Sequence, residues 1–174
     1  MDIAAAKLLS SYNQYANGRM NAILEKLDDS QWTREFSGYF KSIKTLCNHL
    51  YIADFVWLRR FSGLRRSAYM DDKLLSEDIN FGMDALEDPI DYVSKRKRLD
   101  GLIVRFVDGI GPQDLESTLA YKDSGGHDHR KSFGALVLHM FNHETHHRGM
   151  ISLYLENLGI ENDFNSLSEM IEEL

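Results

Sequence analysis

The stretch of sequence that decides the fold is His143-Glu144-Thr145-His146-His147-Arg148-Gly149, which lies within a long run of helical periodicity. Residues three or four positions apart form one inward-facing stripe there, as expected for one face of an α-helix. The stripe consists of Leu136, Met140, His143, His147, Ile151, Tyr154 and Leu158. Two of its core-facing positions are histidines one turn apart, about 6 Å along the helix axis. Both imidazoles can reach one ion from the same side, so the stretch is typical of half a metal site.

The size and charge of the chain narrow the classes of function. Its 174 residues are 43% hydrophobic with only two prolines, which predicts a single domain over residues 1–174 with a substantial buried core. The net charge of −7 argues against nucleic acid as a partner, because phosphate contacts need clustered Lys and Arg. Two basic runs, Arg59-Arg60 with Arg65-Arg66 and Lys95 to Arg98, lie beside acidic residues and are interpreted as solvated surface.

The cellular compartment follows from what the sequence lacks. The lone cysteine, Cys47, cannot form an internal disulfide, and the N-terminus has no secretory signal pattern. No apolar stretch approaches the roughly 20 residues of a membrane-spanning helix. These observations predict a cytoplasmic protein with no membrane partner, and Cys47 is interpreted as a small buried apolar residue.

Hydrophobic periodicity predicts four long helices. They run from about Ile3 to Leu27, from near Ser42 to Phe61, from Pro89 to Ile110, and between an N-cap at Ser132 and a terminating glycine at Gly159. The acidic stretch from Gly63 to Pro89 is predicted to cross the bundle as a long connection. Alternation in Leu115 to Tyr121, followed by a turn at residues 123–126, predicts a short β-hairpin that closes near Arg130. A short last helix is predicted near Ser166 to Glu173.

An all-α four-helix bundle, with a short β-hairpin before the fourth helix, is therefore the predicted fold, and bundle cores are where facing helices assemble metal sites. His49 lies on the apolar face of the second helix and is predicted to point inward. If His49 faces His143 and His147, three neutral imidazoles can bind a divalent ion and leave a fourth position open. Burial of three unpartnered imidazoles would otherwise cost several kcal/mol.

Other histidines offer alternative ligands. The pair His139 and His143 has the same spacing, and His146 is adjacent to His147, so spacing does not choose among them. His127 and His129 on the predicted hairpin could also hold an ion, although an exposed loop is the simpler interpretation.

Residues 139–149, with the sequence HMFNHETHHRG, resemble the signature of the DinB family, the DinB/YfiT-like candidate metalloenzymes. Further matching pieces follow in the same order along the chain. They are Tyr12-Asn13 with Asn17, Ser42-Ile43, Asn48-His49-Leu50 with Asp54 and Trp57, and Leu158-Gly159. The resemblance implies a four-helix bundle whose divalent metal is bound by His49, His143 and His147. It leaves His139 and His146 as neighbours of the site.

The same resemblance implies a homodimer and a small-molecule substrate, with a low-molecular-weight thiol as cosubstrate in some related members. The family name refers to damage-inducible expression, so a stress-response role is also implied. One departure from the signature is Met150, where the family commonly has glutamine. This change removes a polar group one turn from His147.

An open three-histidine site is compatible with metal-dependent thiol transfer, as a transferase, and with metal-dependent hydrolysis, as a hydrolase. Zinc, nickel, iron and copper all accept imidazole ligands. Glu144 is a candidate catalytic base or could orient an imidazole, and it could equally form an i, i+4 salt bridge with Arg148. Tyr15, Asn17, Asp54 and Arg148 are candidate pocket residues.

Two rival functions agree with parts of the sequence. One is a non-catalytic metal-binding protein that acts in a stress response or as an interaction module. The other is a zinc protease, because His143-Glu144-x-x-His147 satisfies the His-Glu-x-x-His pattern. That pattern lacks its longer continuation here, since Met150 and Leu153 stand where glycine and histidine are needed. A di-iron bundle is excluded, because no second Glu-x-x-His occurs in the chain.

Overall fold

A computed structural model describes residues 1–64, 68–171 and 173. Its elements, in chain order, are α1 (Ile3–Leu24), α2 (Asp29–Thr33), α3 (Ile43–Phe61), α4 (Pro89–Gly109), α5 (Pro112–Glu116), β1 (Thr118–Lys122), β2 (Asp128–Ser132) and α6 (Phe133–Asn157). Short 3-10 helices follow α3 at Ala68–Asp71 and Lys73–Ser76, and another lies at Leu167–Met170. The predicted four-helix bundle with a hairpin before the last long helix is confirmed.

The long helices begin where side chains can accept hydrogen bonds from free backbone N–H groups. Ser42 accepts from the amide of Thr45, whose side chain accepts from the Ser42 amide in return, so α3 starts with a capping box. Asp88 caps α4 ahead of Pro89, and Ser132 caps α6 as predicted. At the far end of α6, Gly159 has a φ of 75°, the left-handed conformation that favours glycine after a helix.

The sequence predicted that the first helix ends at Leu27, which is three residues later than its end in the structure. The helix stops at Leu24, because the amides of Lys26 and Leu27 bond the carbonyls three residues back and tighten the chain into a turn. Asp28 then caps α2 with a capping box to Gln31. Leu27 is still buried, so its hydrophobic signal came from packing beyond the helix.

The packing of the four long helices brings the histidines together. Helix α1 packs against α4 and α6, and α3 packs against the same two helices. Because α3 and α6 are therefore neighbours, His49 on α3 can face the histidines of α6. The apolar side chains form a continuous core between the helices. Among the described residues, none of the helices carries an apolar stretch long enough to cross a membrane.

The predicted hairpin is confirmed with different bounds. Thr118 pairs with Ser132 and Lys122 with Asp128 in an antiparallel ladder. Leu115 belongs to α5 rather than to the first strand, because Pro112 starts a new helical turn after ending α4. The last predicted helix is a single 3-10 turn, Leu167–Met170, that contacts α1.

Candidate metal centre

Three imidazoles meet in the layer between α3 and α6. His49, His143 and His147 each offer one ligand atom, and these atoms all lie within 4.8 Å of one another. The Nε2 atoms of His49 and His143 are 3.0 Å apart. A tetrahedral site with metal–nitrogen bonds of 2.0–2.1 Å would separate two nitrogens by about 3.3 Å. The cluster therefore has nearly the dimensions that one ion requires.

The spacing of α6 and its packing against α3 place these rings. His143 and His147 are one turn apart on α6 with ring centroids 4.3 Å apart, and the ring of His49 lies 4.7 Å from that of His147. The Nδ1 atoms of His143 and His147 are buried without a hydrogen-bond partner among the described residues. Buried nitrogens of this kind are costly unless they are partnered. The close approach of the Nε2 atoms of His49 and His143, rather than these Nδ1 atoms, is the contact that fits a cation with imidazole ligands.

Burial keeps the three rings neutral at neutral pH. It lowers the pKa of His49, and it is also the main cause that lowers the pKa of His143 to about 4 and that of His147 to about 3. The other histidines of the cluster lower the last two values further, because neighbouring positive charges would repel. Neutral imidazoles have the free lone pairs that metal coordination needs.

The shifted histidines predict how the stability of the metal-free protein depends on pH. Their folded pKa values lie below the ordinary 6.5, so the unfolded chain binds more protons between about pH 6.5 and pH 4. Stability should therefore fall as the pH drops from 7 to 5, by about 1 kcal/mol per pH unit after allowance for partial solvent exposure. Urea unfolding of wild type and the double variant His143→Gln/His147→Gln should show a smaller loss in the variant.

The difference between the two proteins is the quantity to measure in that experiment, because other groups titrate in the same range. Burial raises the pKa of Asp100 to about 6, which contributes a stability change of the opposite sign in both proteins. An equal loss of stability in wild type and variant would show that the histidines are not responsible.

Aromatic side chains form the walls of the metal centre. The ring of Phe40 lies 4.7 Å from His49 and 5.4 Å from His147. The hydroxyl of Tyr154 donates to the backbone carbonyl of Phe40 at 2.7 Å and so holds that segment against α6. On the other side, Phe81 lies 6.5 Å from His49. Sequence periodicity did not reveal either phenylalanine, because both lie in irregular segments.

Asn48, the residue before His49, holds the loop that carries Phe81. Its side-chain amide donates to the carbonyl of Met83 at 2.7 Å, and its side-chain oxygen accepts from the amide of Ala85 at 2.8 Å. Just before Met83, Gly82 has a φ of 91°, a conformation suited to glycine. Asn48 thus orders the segment from Ile79 to Leu86, called the Phe81 loop below.

The other histidines lie outside the cluster. His139 is exposed, with its ring 6.0 Å from His143 and 5.4 Å from Trp57, and the exposed His146 lies beside His147. On the hairpin, His127 and His129 both contact the carboxylate of Asp123. No second cluster with the dimensions of a metal site occurs in the described part of the chain.

A buried polar network lies next to the cluster and centres on Arg96. The guanidinium of Arg96 bonds Asp54 at 2.8 Å, Glu144 at 3.0 Å and Asp100 at 2.6 Å. Glu144 also pairs with Arg148 at 3.2 Å, and Arg148 in turn donates to Asn13 and Asn17. All the charged side chains of this network are almost completely removed from solvent. The network connects α1, α3, α4 and α6 beneath the histidines.

The charges of this network balance if one carboxyl group keeps its proton. Burial, and then repulsion by Glu144, raise the pKa of Asp54 far above its usual range. The side chains of Asp54 and Glu144 interact, and Oδ1 of Asp54 accepts no hydrogen bond from any described residue, as expected for an oxygen that carries a proton. Although burial opposes ionisation of Glu144, the positive charge of Arg96 and the interaction with Asp54 lower its pKa. The positive charges of the two arginines then balance the carboxylates of Asp100 and Glu144, and Asp54 is neutral.

Several sequence interpretations need correction here. The basic run from Lys95 to Arg98 is not wholly solvated surface, because Arg96 is 0% exposed. Arg96 lies on the same face of α4 as Tyr92, Leu99 and Ile103. This position on the apolar face was the sequence signal that could have predicted its burial. In the other basic run, Arg60 is partly buried, while Arg65 and Arg66 lie outside the described residues.

The candidate pocket residues are also placed differently from expectation. Asn17, Asp54 and Arg148 belong to the buried network. The exposed Tyr15 bonds Glu169 on the surface. The predicted salt bridge between Glu144 and Arg148 is confirmed. Glu144 is 0% exposed, however, and both of its oxygens bond arginines. Met150 packs partly buried against the core.

Comparisons with known proteins agree with this architecture. The model of the DinB family matches residues 3–164. The chain is 25% identical over 153 residues to Protein DinB of Bacillus subtilis (strain 168), an alignment that covers 87% of this chain and 84% of that protein. It is similar in fold to the crystal structure of the DinB-like protein YjoA from Bacillus subtilis, with a TM-score of 0.64 and 16% identity over 91% of this chain and 97% of that one. Because the family model matches nearly the whole length, the chain belongs to the DinB family.

Proposed function

We propose that this protein binds one divalent metal ion through His49, His143 and His147 and acts as a metal-dependent enzyme, in thiol transfer or hydrolysis. The observation that carries the proposal is the convergence of the three ligand atoms within 4.8 Å in a layer of neutral imidazoles. Three protein ligands leave a coordination position for an incoming molecule, as in catalytic rather than structural sites. Zinc, nickel and iron are the metals that suit this donor set.

The surrounding residues have separate tasks in this proposal. A divalent ion held by the three histidines would supply Lewis acidity, which favours the deprotonated form of a thiol or of water. Phe40 and Phe81 shield His49 and limit the access of bulk water. Because the rings of His49, His143 and His147 are already neutral, they need not release a proton to bind the ion, and they remain available as ligands down to mildly acidic pH.

Glu144, the candidate catalytic residue of the sequence, is given a positioning role. Its carboxylate is held by Arg96 and Arg148 in the interior, so it holds the turn that carries His143 rather than facing a substrate. A zinc protease needs this glutamate as a base beside the attacking water. The burial of Glu144 therefore does not favour that alternative.

Elemental analysis of purified protein tests the ligand assignment. Wild type should contain about one divalent ion per chain, and His49→Ala, His143→Ala and His147→Ala should each lose most of it, because two imidazoles form a much weaker site. His139→Ala and His146→Ala are matched controls from the same helix, and they should keep the ion. Retention of the metal by His49→Ala would contradict a site shared between α3 and α6.

Turnover distinguishes an enzyme from a non-catalytic metal-binding protein. A panel of small thiols with electrophiles, and of amides and esters, should reveal an activity of the metal-loaded protein that His147→Ala abolishes. Absence of metal-dependent turnover across the panel would favour the stress-response or interaction module. The homodimer, the cytoplasmic location and the thiol cosubstrate stay predictions.

A further inference from the structure

A groove of about 400 Å³ lies beside the metal centre. Its walls come from three segments: α3 supplies Val56 and Arg60, the Phe81 loop supplies Asn80 and Phe81, and the hairpin supplies Lys122 and Asp123. The groove is polar, in contrast to the aromatic walls around the histidines. It has room for a small organic group.

The groove borders the metal centre at Phe81. Phe81 lines the groove and also faces His49, with ring centroids 6.5 Å apart. On α3, His49, Val56 and Arg60 follow one another at intervals of seven and four residues, so they share one face of the helix. Eleven residues at 1.5 Å each place Arg60 about 16 Å from His49 along the axis. Side chains lean toward the N-terminus, which shortens the reach from Arg60.

Arg60 is held in place but has no ionic partner. Its guanidinium carbon lies 4.8 Å from the ring of Trp57 and 5.1 Å from that of Tyr121. No hydrogen bond or ion pair joins the side chain of Arg60 to another residue that the structure describes. Partial burial lowers its pKa, and an arginine nonetheless stays charged. A stacked guanidinium presents its N–H edge in a fixed plane, which suits two parallel bonds to a carboxylate.

Asp123 attracts Arg60 electrostatically, but no ion pair joins them among the described residues. The carboxylate of Asp123 accepts hydrogen bonds from the amides of Gly125 and His127 and contacts the rings of His127 and His129. Lys122 pairs with Asp128 at 3.0 Å on the exposed side of the hairpin. The acid nearest the groove is thus already bound within its own turn, and the charge of Arg60 remains available to a ligand.

We propose that this groove is the carboxylate-binding subsite of the metal centre and that Arg60 binds the carboxylate of a ligand whose other end reaches the three histidines. The inference rests on the proposed metal function for the position of that other end. The substrate class is then an anionic molecule with a donor such as a thiol at one end and a carboxylate at the other, separated by about 10 Å or more.

The binding of two thiols of equal length tests the proposal. One carries a carboxylate at the far end and the other carries an alcohol, and isothermal titration calorimetry measures both against the zinc-loaded protein. Wild type should bind the acid about tenfold more tightly than the alcohol, as expected for a charge-assisted pair. Arg60→Gln should reduce this preference to near unity without changing the affinity for the alcohol. Arg60→Lys, which keeps the charge, should retain part of the preference.

Arg105→Gln is the matched control. Arg105 lies on α4, its side chain is 59% exposed, and it pairs with Asp72 rather than lining the groove, so the same change in net charge should leave the preference for the acid intact. The proposal is overturned if wild type shows no preference, if the preference survives Arg60→Gln, or if Arg105→Gln removes it equally.

A second arm distinguishes failure of the subsite from failure of the metal function. A carboxylate of the same length without a thiol is titrated into zinc-free wild type and zinc-free Arg60→Gln. Weaker binding by the variant supports the subsite even if elemental analysis finds no metal. Equal binding by both proteins contradicts it even if the metal is present.

Discussion

Replacement of Arg96 by methionine is expected to lower the free energy of unfolding by about 3 to 5 kcal/mol, because Asp100 and Glu144 would lose the cation that compensates them in a dry interior and would have to stay charged or take up a proton there. Both carboxylates bond Arg96 and are almost completely buried. For a chain of this length, such a loss lowers the melting temperature by roughly 10 °C. Urea unfolding monitored by circular dichroism measures the change.

Arg98→Met is the matched control for that prediction. Arg98 is on the same helix, and its side chain is 48% exposed and paired with Asp72, so its loss should cost at most about 1 kcal/mol. The double variant Arg96→Met/Asp100→Asn should recover part of the loss, since one uncompensated charge is removed with its partner. If Arg96→Met costs no more than Arg98→Met, the network does not hold the four helices together.

Removal of the metal should have a comparable effect on thermal stability. An ion that binds only the folded chain, at a free concentration about a thousand times its dissociation constant, stabilises the fold by about 4 kcal/mol. A chelator should therefore lower the melting temperature of the zinc-loaded protein by roughly 10 °C. Differential scanning calorimetry with and without the chelator measures this shift.

His147→Ala should show almost no response to the chelator, because the ion is no longer bound by three imidazoles. His146→Ala lies one residue away, outside the cluster, and should respond like wild type. A large chelator effect that persists in His147→Ala would place the ion elsewhere in the molecule.

The helices could be predicted from the sequence because their signals are local. The apolar stripe of α6, the cap at Ser132 and the glycine at Gly159 act within a few residues, and the structure has the helix between them. Helix α5 was not predicted, because Gly111-Pro112 ends one helix and starts another with the same two residues. Such a double role cannot be read from the turn chemistry alone.

The histidine cluster could be predicted because its members lie on apolar stripes where hydrocarbon is expected. The family resemblance chose His143 and His147 over their neighbours. The network around Arg96 could not be assembled from the sequence, since its partners Asp54 and Glu144 are 42 and 48 residues away. The position of Arg96 among apolar residues of α4 was a detectable signal, but the neighbouring lysines and arginines obscured it.

Asn48 and His49 are consecutive residues with different duties: the amide holds the Phe81 loop, and the imidazole lies in the cluster. A shift of α3 by one residue along its axis would remove both contacts at once. The axial position of α3 is therefore constrained by two consecutive side chains. Grafting the three histidines onto another bundle would reproduce the ligands without the ordered loop that carries Phe81.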